Sequence, residues 1–200
     1  YDKKTGAGEI EYTNYFLTDE FNDKAESAVA GFKILPSSFN WDYSMDGGGK
    51  LKDNIAYRGS TNSDGGHILA GADGYYTITL NTANNTATMV KYEGNVTNYG
   101  TIQIAGSFNE WADTPMLPYN TEGVENHAWY YVMEVPAGDP IQFKFKIAGS
   151  WDTSWGYGAE DGAINMYGKC DAGGKNIGLA EGKYVISFND ITGAFSIVKL

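Results

Sequence analysis

A chain of 200 residues with a formal charge of -11 and a pI near 4.5 is a poor match for nucleic acid, whose phosphates need clustered Lys and Arg, or for an anionic membrane surface. A neutral polymer is indifferent to that charge. The single cysteine, Cys170, leaves no internal disulfide, and no apolar run approaches the roughly 18 residues of a membrane span.

Gly, Tyr, Asn and Thr are abundant, helical-period runs are missing, and short segments alternate polar with β-branched or aromatic residues, which predicts an all-β chain. In chain order, a strand at Tyr15-Phe16 is followed by Phe32-Lys33-Ile34, Trp41-Asp42, the glycine pair Gly65-Gly66, the alternating strand Gly74–Asn81 and a last strand at residues 87–91. The second half repeats this order with Phe145-Lys146-Ile147, Trp151-Asp152, Gly173-Gly174, the strand Gly182–Asn189 and the strand Ala194–Lys199. Glycine pairs and closing hairpins share an offset of 108, while the intervening loops differ by a few residues, as in duplicated domains. The expectation is two tandem immunoglobulin-like β-sandwich domains, residues 1–96 and 97–200, joined through the polar stretch 94–99.

The second repeat opens with a strand and turn, Thr101-Ile102-Gln103-Ile104-Ala105-Gly106-Ser107-Phe108-Asn109-Glu110-Trp111, that has no counterpart in the first. Aligning Tyr15-Phe16 with the start of the Trp129-Tyr130-Tyr131-Val132 strand puts Tyr1 past the counterpart of this opening strand. The first domain is therefore expected to lack its N-terminal strand, and the intact protein to extend upstream. Phe108, Trp129, Tyr131, Phe143, Phe145, Tyr184, Phe188 and Phe195 are available to close the second core.

A glycoside hydrolase needs two carboxylates facing each other about 5 to 9 Å apart. Asp113, Glu122, Glu125, Asp139, Asp152, Glu160 and Asp161 instead stand in turn-like contexts that solvation explains. Neither His67 nor His127 neighbours a nucleophile motif. No phosphate loop, dinucleotide fingerprint or zinc spacing is present, and Ala159-Glu160-Asp161-Gly162 lacks the spaced oxygens of an EF-hand. The sequence thus points to no catalytic residue, no metal and no cofactor.

Aromatic residues in loops are the stronger signal. Trp111 lies in a polar turn, and the glycine-rich stretch 149–158 carries Trp151, Trp155 and Tyr157. An exposed indole face stacks on the C–H face of a pyranose, while Asn or Lys at its edge hydrogen-bonds the hydroxyls. The alternative is that a loop tryptophan folds back as a lid over the sandwich end, whereas Trp129, in an alternating strand, reads as core.

The run from Ile104 to Trp111, then Pro115-Met116, then Phe143-Lys144-Phe145-Lys146-Ile147-Ala148-Gly149-Ser150-Trp151 resembles the glycogen-binding module of the AMP-activated kinase β subunit. The tandem organisation and the closing Gly-Gly-Lys-Asn-Ile and Gly-Lys-Tyr segments resemble more closely the SusE/SusF-type starch-binding surface lipoproteins of gut bacteria. The likeness covers nearly all of residues 98–200 and, more weakly, 12–92. It implies a non-catalytic protein that binds starch or a related α-glucan at the outer-membrane surface, held by a lipid anchor upstream of Tyr1 and working beside outer-membrane glycan transporter proteins.

Carried over residue by residue, the resemblance makes Trp111 and Trp151 the sugar platform and Lys144 and Asn176 its hydrogen-bonding residues. Trp155 and Tyr157 extend the surface by one sugar, and Lys175 is a substitute donor. The first repeat departs from the pattern, with Gly31 at the lysine position and Ile68 at the asparagine position; Trp41, with Tyr43 close by, makes it a spacer or a poor site. The rival readings are a structural or protein-interaction module of a surface complex and an accessory domain of a glycoside hydrolase.

Overall fold

The computed structural model describes residues 9–16, 49–50, 55–58, 68–69, 74–81, 86–119 and 127–200. Among these, every regular element is a strand except one 3-10 turn. The chain divides into two compact units, Lys3–Gly94 and Asn95–Leu200. Trp41, Tyr43, Gly31, Phe32-Lys33-Ile34, Gly65-Gly66, His67, Glu122 and Glu125 lie outside the described residues.

The first unit contributes β1 (Glu9–Phe16), β2 (Gly49–Lys50), β3 (Ile55–Arg58), β4 (Ile68–Leu69), β5 (Gly74–Asn81) and β6 (Thr86–Lys91). β1, β5, β6 and β3 form an antiparallel sheet in that order, and β2 pairs with β4 in parallel. Side chains alternate across a strand, and Tyr76, Ile78, Ala87 and Met89 share the buried face of this sheet.

The second unit holds β7 (Ile102–Gly106), the 3-10 turn Ser107–Asn109, β8 (Thr114–Pro115), β9 (Leu117–Pro118), β10 (Ala128–Val135) and β11 (Ile141–Ile147). It continues with β12 (Ser154–Gly156), β13 (Ala163–Ile164), β14 (Tyr167–Lys169), β15 (Asp171–Ala172), β16 (Ile177–Leu179), β17 (Gly182–Asn189) and β18 (Ala194–Lys199). One sheet runs β14-β18-β17-β10-β9. In the other, β11 pairs with β7 along one edge and with β16 and β12 along the other.

Between the two sheets lies an aromatic core. Phe143 and Phe145 point inward from β11, and Phe145 stacks on Phe188 of β17 at 4.2 Å and 15°. Trp129, Tyr184 and Phe195 are buried with them, and Phe108 and Tyr131 pack at the margin. The second unit is therefore a β-sandwich. Cys170 belongs to this core, and burial raises its thiol pKa. His127 is fully buried where β10 begins: its Nδ1 lies 2.6 Å from Asp190 Oδ1, and Trp129 Nε1 donates to Asp190 Oδ2 at 2.9 Å.

The repeated hairpins share their register. Ile78 faces Met89 and Tyr76 faces Lys91; Ile186 faces Ile197 and Tyr184 faces Lys199. β1 and β10 add to these hairpins in the same way, Glu9 opposite Asn81 and Ala128 opposite Asn189. Tyr15 and Phe16 consequently match Glu134 and Val135 at the end of β10, not the start expected from the Phe-Lys-Ile spacing. Cross-strand pairing sets the equivalence, and loop length does not.

Candidate functional site

The site is built on the outer face of the sheet around β11. Phe143 and Phe145 face the core, so Gln142, Lys144 and Lys146 face outward, successive side chains on one face lying about 6.6 Å apart. This gives a polar row of roughly 13 Å. A tryptophan pair stands at its Lys146 end and Asn176 at its Gln142 end.

The turn Gly106-Ser107-Phe108-Asn109-Glu110-Trp111 leaves β7 beside Gln142 and carries Trp111 to the tryptophan end. Gly106 must be glycine, because a Cβ there would run into the Gln142 carbonyl. Ser107 Oγ accepts the Gln142 N–H at 3.0 Å, and Phe108 turns to the core margin. The Asn109 side chain accepts the Gly106 N–H at 2.9 Å and donates to Ala112 O at 2.7 Å and Thr114 Oγ1 at 2.8 Å. This clamp holds Glu110 and Trp111 at φ 56° and 63°. Bulky side chains rarely adopt that left-handed conformation, and such residues persist only where their surroundings over-determine them.

Trp151, in the loop between β11 and β12, meets Trp111 at 5.9 Å between ring centroids with an interplanar angle of 60°. Trp151 is 45% exposed and Trp111 half-buried. Lys146 Nζ lies 4.9 Å from the Trp151 ring centroid, a cation-π contact. Lys146 also pairs with Asp113, whose other carboxylate oxygen accepts the Gly149 N–H at 2.6 Å. The hydrogen bonds from Lys146 and then Gly149 hold the Asp113 carboxyl below its ordinary range.

At the opposite end, Asn176 Nδ2 donates to Gln142 Oε1 at 3.0 Å, and its backbone N–H donates to Asp161 Oδ1 at 2.8 Å. That backbone bond leads in lowering the Asp161 carboxyl. Lys175 reaches Asp161 at 3.4 Å. The half-buried Lys144 stands between the two ends, its amine lowered by burial and partly restored by Asp161. The loop carrying Lys175 and Asn176 lies close on the sheet because Gly174 and Gly156 approach backbone to backbone, where a Cβ on either would collide with the other strand.

Of the six residues singled out in the sequence, the structure gathers Trp111, Trp151, Lys144 and Asn176 on this face. Trp155 and Tyr157 require a correction. In the antiparallel ladder Trp155 faces Phe145, and paired residues share a face, so the ring goes into the core. It is 9% exposed, edge-on to Tyr99 at 5.3 Å and tilted against Phe188 at 5.4 Å. Tyr157 packs on Phe195 at 5.3 Å and over Gly168, whose missing side chain makes room for the ring. Neither ring extends the outer surface.

Sequence reasoning passed over Lys146 and Asp113. The strict alternation of Gln142, Lys144 and Lys146 with Phe143 and Phe145 was the signal that put Lys146 on the Trp151 side. Among the described residues no three His, Cys, Asp or Glu side chains come together as metal ligands, and no helix is long and apolar enough to cross a membrane.

Comparison with protein-family models and with curated proteins gives no match. Among solved structures, the chain is similar to SusF from Bacteroides thetaiotaomicron, at 17% identity and a TM-score of 0.38, with 100% of this chain and 44% of that chain covered. The chain spans less than half the length of that structure.

Proposed function

We propose that residues 97–200 form a non-catalytic carbohydrate-binding domain that holds starch or a related α-glucan on Trp111 and Trp151, with Lys144 and Asn176 hydrogen-bonding the sugar hydroxyls. The observation that carries this reading is the tilted, solvent-facing pair of indoles at the end of a polar row. Two planes inclined at 60° suit a chain that turns from one sugar to the next, as an α-1,4-glucan does, better than a flat β-1,4 ribbon. The protein then acts in glycan uptake at the cell surface, beside outer-membrane transporters. The domain formed by residues 1–96 serves as a spacer or weak site.

Each stacked ring contributes about 1 to 3 kcal/mol, by analogy with base stacking on aromatic side chains. Hydrogen bonds add about 0.5 to 1.5 kcal/mol net apiece, and immobilising a flexible sugar chain offsets part of the sum. Dissociation constants of about 10 μM to 1 mM follow, with avidity on a polymer coming from several domains.

Affinity electrophoresis through gels containing starch, a β-glucan, a mannan or a fructan tests the reading. Retardation by starch, reduced by Trp151→Ala, is expected. Equal mobility in every gel means that the rings serve a protein contact instead.

A further inference from the structure

We propose that Asp113 and Lys146 are a positioning pair that fixes the angle between Trp111 and Trp151, so that the platform is shaped by this ion pair and not by the rings' own packing. The inference rests on the reading of those two rings as the sugar platform.

The rings sit on separate loops, and no strand ladder joins the loop tips. Pairing of β11 with β12 covers Phe145 with Trp155 and Lys146 with Ser154, extended by one bond from Ile147 N–H to Thr153 O. Beyond that, residues 148–152 lack ladder bonds to the Trp111 loop. Asp113, two residues after Trp111, supplies the connection. One carboxylate oxygen meets Lys146 on β11, and the other accepts the N–H of Gly149 at the root of the Trp151 loop. Gly149 has φ +70°, a left-handed turn that directs its N–H to the carboxylate at little steric cost.

Lys146 is the unusual member. Lys144, on the same face of the same strand, is half-buried, whereas Lys146 is 2% exposed because the Trp151 ring covers it. A buried ammonium is tolerated when paired and is strongly unfavourable alone. If Asp113 is removed, Lys146 has to reach water, and the side chain in its way is Trp151. The Asp113 carboxyl, held below its ordinary range by its bonds to Lys146 and Gly149, agrees with this geometry. Asn109 secures the Trp111 side of the same arrangement, and Asp113 couples it to the other loop.

Two tilted indoles in contact produce paired circular-dichroism bands of opposite sign, a couplet that reports their angle without any ligand. In the intact chain, with Trp151→Phe setting the zero, Asp113→Ala is expected to abolish the couplet while the strand signal persists. Retention by a starch gel should weaken about tenfold, as when one stacked ring is lost. The double variant Asp113→Ala/Lys146→Met leaves no unpaired buried ammonium, so it should fold, but it still lacks the tie between the loops and should also have lost the couplet. An unchanged couplet in Asp113→Ala overturns the proposal. So does a folded double variant that keeps its couplet, and that variant decides the matter even if Asp113→Ala fails to fold. Because the couplet is read without sugar, failure of starch to retain the parent chain condemns the glycan reading alone.

Discussion

Trp151 and Trp155 stand in one short loop-and-strand segment and finish on opposite sides of a sheet, so the same substitution should expose two different roles. Trp151→Ala removes a half-exposed ring and should reduce affinity for a maltoheptaose-like oligosaccharide about tenfold, near 1.4 kcal/mol, with little change in thermal midpoint. Trp155→Ala empties a site between Tyr99 and Phe188 and should lower stability by about 3 to 5 kcal/mol; titration calorimetry and thermal unfolding separate the two. The Asp113 carboxyl offers a pH test. Its folded value lies below the ordinary one, so its ion pair contributes fully above the unfolded value, about 3.9, and is lost only as the pH falls through the depressed folded value. The indole couplet should therefore survive at pH about 4 and collapse below it, and Asp113→Asn should remove that transition. Trp111 and Trp151 were legible as surface rings because a polar turn and a glycine-rich loop give a core no reason to recruit them. Trp155 was not, because its burial follows from the pairing of β12 with β11, and Ser-Trp-Gly is too short to display an alternation.

At the level of elements, hairpin duplication was readable from the shared Gly-to-Asn strands, since alternation and turn chemistry are local properties. The equivalence of β1 with β10 was misjudged from loop spacing, because only the ladder records which residues face each other. The second glycine pair, Gly173-Gly174, now has a physical reason: Gly173 turns at φ +66°, and Gly174 packs against Gly156. Gly156→Ala should push the Lys175–Asn176 loop off the sheet, weakening starch retention and costing about 1 to 3 kcal/mol through overpacking. The buried contact among His127, Trp129 and Asp190 fastens the start of β10 to the end of β17. Asp190→Ala removes the carboxylate that His127 and Trp129 share and should cost about 1 to 3 kcal/mol, seen as a lower denaturant midpoint with the slope unchanged.

For the whole molecule, a net charge of -11 and a platform of rings make a joint prediction about salt. Stacking on a neutral glycan is not screened, so retention by starch should stay level as ionic strength rises, whereas binding to a charged polymer would change steeply. Trp41→Ala should alter affinity little if residues 97–200 carry the site. The all-β class could be read from composition, and the core aromatics from their alternation, but the side of the sandwich that bears the proposed site depended on how β7, β11 and β12 assemble. Cys170 turns that assembly into its own stopwatch. It is the chain's single thiol, buried and with its thiolate disfavoured, so an alkylating reagent must wait for the second sandwich to open. Under rapid reclosure the labelling rate measures the open fraction. A bound sugar lowers that fraction by the factor 1 + [L]/Kd, so oligosaccharide at ten times its Kd should slow alkylation about elevenfold. Affinity becomes measurable on the native sequence with no dye and no immobilised ligand.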